Sequence, residues 1–347
     1  MSHESGTWAV VGASGFVGSA VAAELRGRGL AVKELAAPRL ESTAGTAAEI
    51  VDAAHATVGA TQAQGGAPDA AGSDAAGPDL AADIASFRNA LDGVDVVVNA
   101  AGLATPGDGE SPALTGANAL LPAVVALLAR EAGAHRFVHL SSASVQGQNR
   151  TIDESPARAP FSAYSRSKTL GEEALELLAG ETGHPGSHHL EITTIRATSV
   201  QGPGRPTTLS LVKVAGSPLA SVASPGNAPT PVSSIDGLAW FVAETGLHAG
   251  PVPAIVLQPW ERLTVSDVLT DAGGRAPLMI PAWLCRTVLA TGYFVSRILG
   301  ERLHGPIRRV ELMWFGQGQV PGWAESAGLV PEPFVREVLE QARVSRP

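Results

Sequence analysis

Residues 11–18, Val11-Gly12-Ala13-Ser14-Gly15-Phe16-Val17-Gly18 (VGASGFVG), decide how this chain is read. They stand between a short apolar run, TWAVV at residues 7–11, and a segment of helical spacing, residues 16–28, that Gly29 ends. A glycine string is informative only in such a strand–loop–helix context. There each glycine has its own reason. Gly12 permits the tight turn, Gly15 lets the backbone approach a pyrophosphate, and Gly18 lets the helix pack on the sheet. The helix start adds unpaired N–H groups and partial positive charge, which suit a phosphate. Gly12, Ser14, Gly15, Phe16, Val17 and Gly18 are therefore predicted to form a dinucleotide-binding loop.

Outward from the loop, further strands are predicted at 31–36 (AVKELA), 94–99 (VDVVVN), 136–141 (RFVHLS) and 191–196 (EITTIR). Helical patterns at 84–91, 112–132 and 163–178 alternate with them. Such alternation implies an α/β fold with a doubly wound parallel sheet, the Rossmann type. Residues 57–78 (TVGATQAQGGAPDAAGSDAAGP) have no apolar period and no aromatic residue. They are predicted to be a flexible surface insertion, since they bury little to offset their ordering entropy. After residue 196 the alternation fades. Helical patterns at 235–244, 265–272, 281–300 and 332–342 predict a smaller, mainly helical substrate part. The expected division is residues 1–200 for the dinucleotide and 201–347 for the substrate, with room for the two to interleave.

The chain has 347 residues, enough for one large domain or two smaller ones. Its net charge of -9 speaks against a nucleic-acid partner, which needs a basic surface. A single cysteine, Cys285, leaves no intramolecular disulfide and fits a reducing compartment, so a cytoplasmic protein is expected. The start of the chain lacks the basic and apolar regions of a secretory leader. The apolar stretch at 276–299 is interrupted by Arg286 and Arg297. It is read as a core or domain-cap helix in preference to surface attachment to a membrane, and no membrane span is expected.

Cofactor choice turns on the end of the second predicted strand. An acid there bonds the adenosine ribose, whereas an arginine accommodates a 2′-phosphate. The stretch is Glu34-Leu35-Ala36-Ala37-Pro38-Arg39. No Asp stands at the expected position near Ala36, and Arg39 is close. NADP is predicted, with NAD the alternative if Glu34 binds the ribose. Asp83 and Ile84, ahead of a predicted helix, are candidates to contact adenine, Asp83 equally to cap that helix.

Tyr164-Ser165-Arg166-Ser167-Lys168 puts Tyr and Lys at i and i+4, on one helix face. A free tyrosine titrates near ~10, and a neighbouring ammonium favours its phenolate. That pairing suits an acid/base. Ser142, at the carboxyl end of the strand 136–141, is placed to hold a substrate oxygen; Ser141 and Ser144 are alternatives.

Together these elements resemble the extended short-chain dehydrogenase/reductases, the NAD-dependent epimerase/dehydratase group. The resemblance runs in order through VGASGFVG, DVVVNAAG (95–102), TGANALL (115–121), HLSSASVQG (139–147), YSRSK (164–168), IRATSVQGPG (195–204) and SSIDGLAWFV (233–242). It implies an enzyme with Tyr164 as acid/base, Lys168 lowering its pKa and binding the nicotinamide ribose, Ser142 orienting the substrate, and Asn118 supporting the lysine through a water. It also implies that Ala100, Ala101 and Gly102 pass close to the cofactor. A homodimer through the helices carrying Asn118 and Tyr164 is implied as well. Two departures stand out. Gln146-Gly147 replaces the family's frequent Tyr-Gly. Residues 227–231 (NAPTP) lack the arginine with which nucleotide-sugar members grip a phosphate; Arg205 and Lys213 are candidate substitutes.

Hydride transfer on a nucleotide sugar, as epimerisation or keto-sugar reduction, is the first expectation. The second is reduction or oxidation of a less charged alcohol or ketone, of steroid-, flavonoid- or polyketide-like kind, which the missing arginine favours. A non-catalytic nucleotide-sensing module is the third; it would be expected to lack Tyr and Lys. No metal is expected, because His188 and His189 are not spaced with other ligands.

Overall fold

Short, mostly buried apolar runs form the strands that position the glycine loop. The computed structural model describes residues 6–63, 78–104, 109–181, 189–299 and 303–345. The chain runs through β1 (Thr7–Val11), α1 (Phe16–Gly27), β2 (Ala31–Leu35), α2 (Ala47–Ala63), α3 (Pro78–Ala90) and β3 (Val96–Asn99). Next come α4 (Pro112–Thr115), a π-helical turn (Gly116–Leu120), α5 (Leu121–Glu131), β4 (Arg136–Ser142), a 3-10 turn (Ala143–Gln146), β5 (Thr151–Ile152) and α6 (Ala163–Gly180). Then follow β6 (Glu191–Ala197), β7 (Ser199–Gln201), α7 (Pro206–Ala215), β8 (Ser221–Ala223), β9 (Val232–Ser234), α8 (Ile235–Leu247) and β10 (Ile255–Leu257). The remainder is α9 (Val265–Gly273), β11 (Leu278–Ile280), α10 (Ala282–Ile298), α11 (His304–Phe315), β12 (Gly318–Gln319), α12 (Trp323–Ser326) and α13 (Val335–Val344).

Two compact units interleave along the chain. The first comprises Met1–Ser141, Arg166–Ile195 and Val242–Ile255; the second comprises Ser142–Ser165, Arg196–Phe241 and Val256–Pro347.

Among the described residues the central parallel sheet has six strands in the order β10-β6-β4-β3-β1-β2. The register pairs Val11 with Leu35 and with Asn99, and Asn99 with His139. The chain thus leaves β1 toward β2 and returns to β3 on the other side of β1. That reversal opens a crevice at the carboxyl ends of β1 and β3, where ligands of such sheets bind. Side chains alternate between the two faces of the sheet. Ala9, Val11, Val97 and Phe137 share one apolar core with Ile50, Ile84, Leu128 and Leu175. Trp8, also buried, lies against Gly246, where a Cβ would overlap the indole. Arg136 secures the return of the chain there. Its guanidinium pairs with Glu191 at 2.6 Å and donates to the carbonyls of Thr245, Gly246, His248 and Gly250 at 2.8–3.1 Å. The orphan carbonyls at the end of α8 are satisfied in this way.

Two expectations need correction here. Residues 57–63 are not part of an insertion but the end of α2, and Val58 is buried in the core. Ile50, Val51, Ala54 and Val58 supply the helical period for α2 that the alanine-rich sequence obscured. Residues 64–77 lie outside the described residues. Among the described residues one helical run, Pro112–Glu131, is long and apolar enough to cross a membrane, with mean hydropathy 1.7, and 78% of its most apolar window is buried. The stretch at 276–299 is not a core helix: much of α10 is exposed. Helix α2 packs on α5, whose residues 121–129 are all buried within the chain.

The second unit is built on α7, α9 and α13, which share a core of Val212, Val268, Leu269, Val335 and Leu339. Thr264 caps α9 by accepting from Asp267 N at 3.2 Å, while Asp267 accepts from Thr264 N at 2.9 Å. This reciprocal capping satisfies two orphan donors.

Candidate active site

The first unit carries the glycine loop. Gly12 has φ +80°, and its N–H donates to Leu35 O at 2.9 Å. A Cβ at Gly12 would lie 2.8 Å from the Ala101 backbone. One at Gly18 would overlap the Gly12 carbonyl. Gly15 caps α1 without a side-chain acceptor, so no cap side chain occupies the first-turn N–H groups. Ser14 is exposed, and Phe16 and Val17 are half-buried. Ala100 N bonds Val11 O at 3.0 Å, which brings the segment 100–102 alongside the loop. These residues form a narrow backbone cradle that fits a pyrophosphate.

Lys168 completes that unit. A Cβ at Gly102 would lie 2.7 Å from Asn118 Oδ1 and 3.1 Å from Lys168 Nζ. Asn118 sits in the π-helical turn, a distortion often found at functional sites. Its amide donates to Leu103 O and to Ser167 Oγ, both at 2.9 Å, and its oxygen accepts from Leu103 N at 3.0 Å. Lys168 is 4% exposed and donates to Leu140 O at 3.0 Å. Burial pulls its ammonium down to about 8, against the opposing charge of Glu172. Glu172 accepts from Ser141 Oγ at 2.6 Å, so Ser141 is committed away from the substrate. His139 is fully buried, and burial with the Lys168 charge holds it well below its ordinary range. Its Nδ1 lies 3.2 Å from Asn99 Nδ2; its Nε2 has no partner among the described residues.

Tyr164 stands one helical turn before Lys168 on α6 and belongs to the second unit. Burial pushes its phenol above the ordinary value; a hydrogen bond with Ser142 and the charge of Arg205 act the other way. Ser142 also caps the 3-10 turn by accepting from Ser144 N at 3.2 Å. Arg205, itself pulled down by burial, donates to Val200 O. Ser142 opens onto a cavity of 330 Å³ lying wholly within this unit. Phe161, Ile152, Val268, Leu269, Leu312 and Met313 give it an apolar wall. Its polar groups are serine, threonine and glutamine side chains, and its one charged lining residue among the described residues is Arg309. Ser144 Oγ is buried there without a hydrogen-bond partner. Gly147, in place of a larger residue, is required because a Cβ would overlap the Phe161 ring.

Other expected residues fall differently. Ile84 is sealed in the core, so its side chain is closed to adenine. Asp83 lies inside α3 and not ahead of it, which removes its capping role, though it stays exposed. Glu34 pairs with Arg26 of α1. Arg39 is exposed and has no hydrogen-bond or ion-pair partner among the described residues. Lys213 is exposed on α7. His188 lies outside the described residues. The Ser141–Glu172 and Asn118–Ser167 contacts were not legible from residue order, because both join residues far apart in the chain.

Residues 8–224 match the family described as the NAD dependent epimerase/dehydratase family, and the chain belongs to it. The chain is similar to MoeE5, solved with UDP-glucose and NAD: 18% identity, 98% of each chain covered, TM-score 0.59. It is also similar to a UDP-glucuronic acid 4-epimerase from Bacillus cereus solved with NAD: 17% identity, 96% of this chain and 94% of that one covered, TM-score 0.57. The terminal R domain of the myxalamid PKS-NRPS pathway aligns over 97% of this chain and 90% of its own, at 14% identity and TM-score 0.59. At these identities the solved structures establish the fold. No curated protein sequence matches the chain. Fold and family together make the protein an enzyme of NAD-dependent type.

Proposed function

We propose that this enzyme is a nicotinamide-dependent oxidoreductase or epimerase in which Tyr164 moves the proton at a carbinol or carbonyl oxygen. The observation that carries this reading is the Ser142–Tyr164 hydrogen bond beside the cavity. The cofactor supplies hydride acceptance or donation when bound. Gly12, Ser14, Gly15, Phe16, Val17, Gly18 and residues 100–102 would hold its pyrophosphate half, and Lys168 its nicotinamide ribose. Ser142 and Ser144 orient the substrate oxygen. Tyr164, whose phenol burial pushes above its ordinary value, gives up or accepts the phenolic proton. A general acid/base of this kind contributes roughly 10²–10⁴-fold.

For substrate, the cavity favours an uncharged alcohol or ketone. A nucleotide sugar brings a diphosphate, and buried charge needs paired donors, whereas the described lining offers one cation, Arg309. MoeE5, solved with UDP-glucose, supports the other reading. Tyr164→Phe should lower turnover at least about 100-fold with cofactor affinity unchanged. A panel of apolar ketones and UDP-hexoses, followed by nicotinamide absorbance, separates the two substrate readings. A Phe variant with more than half of wild-type activity refutes the acid/base role.

The free Arg39 and the engaged Glu34 support NADP as the preferred cofactor. Arg39→Ala should weaken NADP(H) by about 1.5–3 kcal/mol, the range for hydrogen bonds to a charged group, and leave NAD(H) unmoved. Calorimetric titration of both cofactors into both proteins decides it; equal losses make Arg39 structural. A cytoplasmic setting and a homodimer remain part of this reading.

A further inference from the structure

Helix α10 has two unlike faces. Cys285, Leu289 and Ser296 are buried, Gly292 abuts Ile307, and Tyr293 donates to Glu311 at 2.6 Å, so this side packs on α11. The outward side is apolar and uncovered. Trp283, Phe294 and Ile298 are 67%, 65% and 69% exposed, and Leu284, Val288 and Val295 join them. Two threonines interrupt that face, yet neither brings an unmet polar group. Thr287 Oγ1 donates to Trp283 O and Thr291 Oγ1 to Thr287 O, each at 3.0 Å. Their hydroxyls are satisfied within the helix, as a surface that leaves water requires.

The charge pattern says what covers this face. Between Asp271 and Glu301 the sequence has no acidic residue, only Arg275, Arg286 and Arg297, in a chain of net charge -9. Arg286 and Arg297 are eleven residues apart, about 20° on a helix of ~3.6 residues per turn, so they flank one edge of the apolar arc. Arg286 lies over the Phe315 ring at 5.5 Å, which fixes it at that rim. A second copy is a poor fit. Twofold antiparallel pairing of α10 with itself sets Arg286 of one chain opposite Arg297 of the other, with no acid on the helix to receive them. The helix has 17 residues and is too short to span a bilayer. Apolar face, aromatic end and flanking arginines together describe an interfacial helix.

We propose that α10 lies in the surface of a membrane containing anionic phospholipid, its apolar face at the acyl–headgroup boundary and Arg286 and Arg297 at the phosphates. Sedimentation of the purified full-length protein with vesicles tests this. Binding to phosphatidylglycerol/phosphatidylcholine vesicles should exceed binding to phosphatidylcholine alone by about tenfold or more and fall with salt. Trp283→Ser/Phe294→Ser/Ile298→Ser should abolish binding to both vesicles while the circular dichroism spectrum stays that of the parent. Arg286→Gln/Arg297→Gln should remove the preference for the anionic vesicles. Folded parent protein that stays in the supernatant, or binds both vesicles equally, overturns the proposal. So does a dimer in sedimentation equilibrium that the triple serine variant dissolves, which would assign the face to a second copy.

Discussion

Two apolar helical runs, Pro112–Glu131 and α10, meet opposite fates. The first is packed inside the first unit, with residues 121–129 all buried. The second shows much of its apolar side to solvent. Apolar content does not separate them; the placement of charge does. Residues 112–129 carry no charged side chain, so nothing prevents burial on all sides. In α10, Arg286 and Arg297 hold one edge of the helix at water. Both runs also contain polar residues with partners: Asn118 bonds Leu103 and Ser167, from elsewhere in the chain, whereas on the outward side of α10 Thr287 and Thr291 bond their own helix. The side of α10 that packs on α11 behaves like the buried run, with Tyr293 donating to Glu311.

The largest effect that would break this contrast is at Leu128. It is fully buried in the core that also holds Ile50 of α2 and Val97 of β3. Leu128→Ala should cost about 2–5 kcal/mol, the transfer loss plus a cavity. Urea unfolding measures it. A loss below about 1 kcal/mol would mean that α5 is far less tightly enclosed than its burial indicates.

Charge can be treated in the same way. Lys168 is a buried charge, unlike the exposed arginines of α10. Its folded value, about 8, lies below its ordinary 10.5. Below about pH 8 it is charged in both states, and the burial cost is present in full. Between the two values the unfolded chain binds the extra proton, so this group makes stability rise with pH. Lys168→Met should therefore remove the rise in stability that Lys168 supplies between about pH 8 and its ordinary value, and cofactor affinity should fall. Urea unfolding across that range checks it. A variant with the same rise as the parent would show that another group is its source.

The sequence revealed most of the first unit because its signals are local. β1 and the loop occupy the residues that the glycine string and TWAVV indicate, and α6 contains both Tyr164 and Lys168. Alternation likewise located β3, β4 and β6 to within a few residues. Helix α2 escaped notice because alanines dilute its apolar period. The short strands β7 to β11 escaped because strands of three residues carry too few alternations to read. In the site, residue types and spacing pointed to Tyr164 and Ser142. The cavity wall was not legible: Phe161, Leu269 and Leu312 come from segments far apart in the chain. Nor did the sequence show that Arg205 acts electrostatically on Tyr164.

The smallest expected effect sharpens the contrast most. Phe294→Ser alters a residue 65% exposed on α10. Removing a side chain that stays in water before and after folding forfeits little transfer energy, and exposed substitutions usually fall within about 0.5 kcal/mol. Helix propensity adds little either, since phenylalanine and serine rank close together. The urea midpoint should therefore hardly move. A loss of about 2 kcal/mol or more would show that Phe294 is covered within the chain in solution. It would also place α10 with α5 among the enclosed helices and remove the surface on which the membrane proposal rests. Stability that is unchanged together with lost vesicle binding is the combination that only an outward-facing, functional α10 gives.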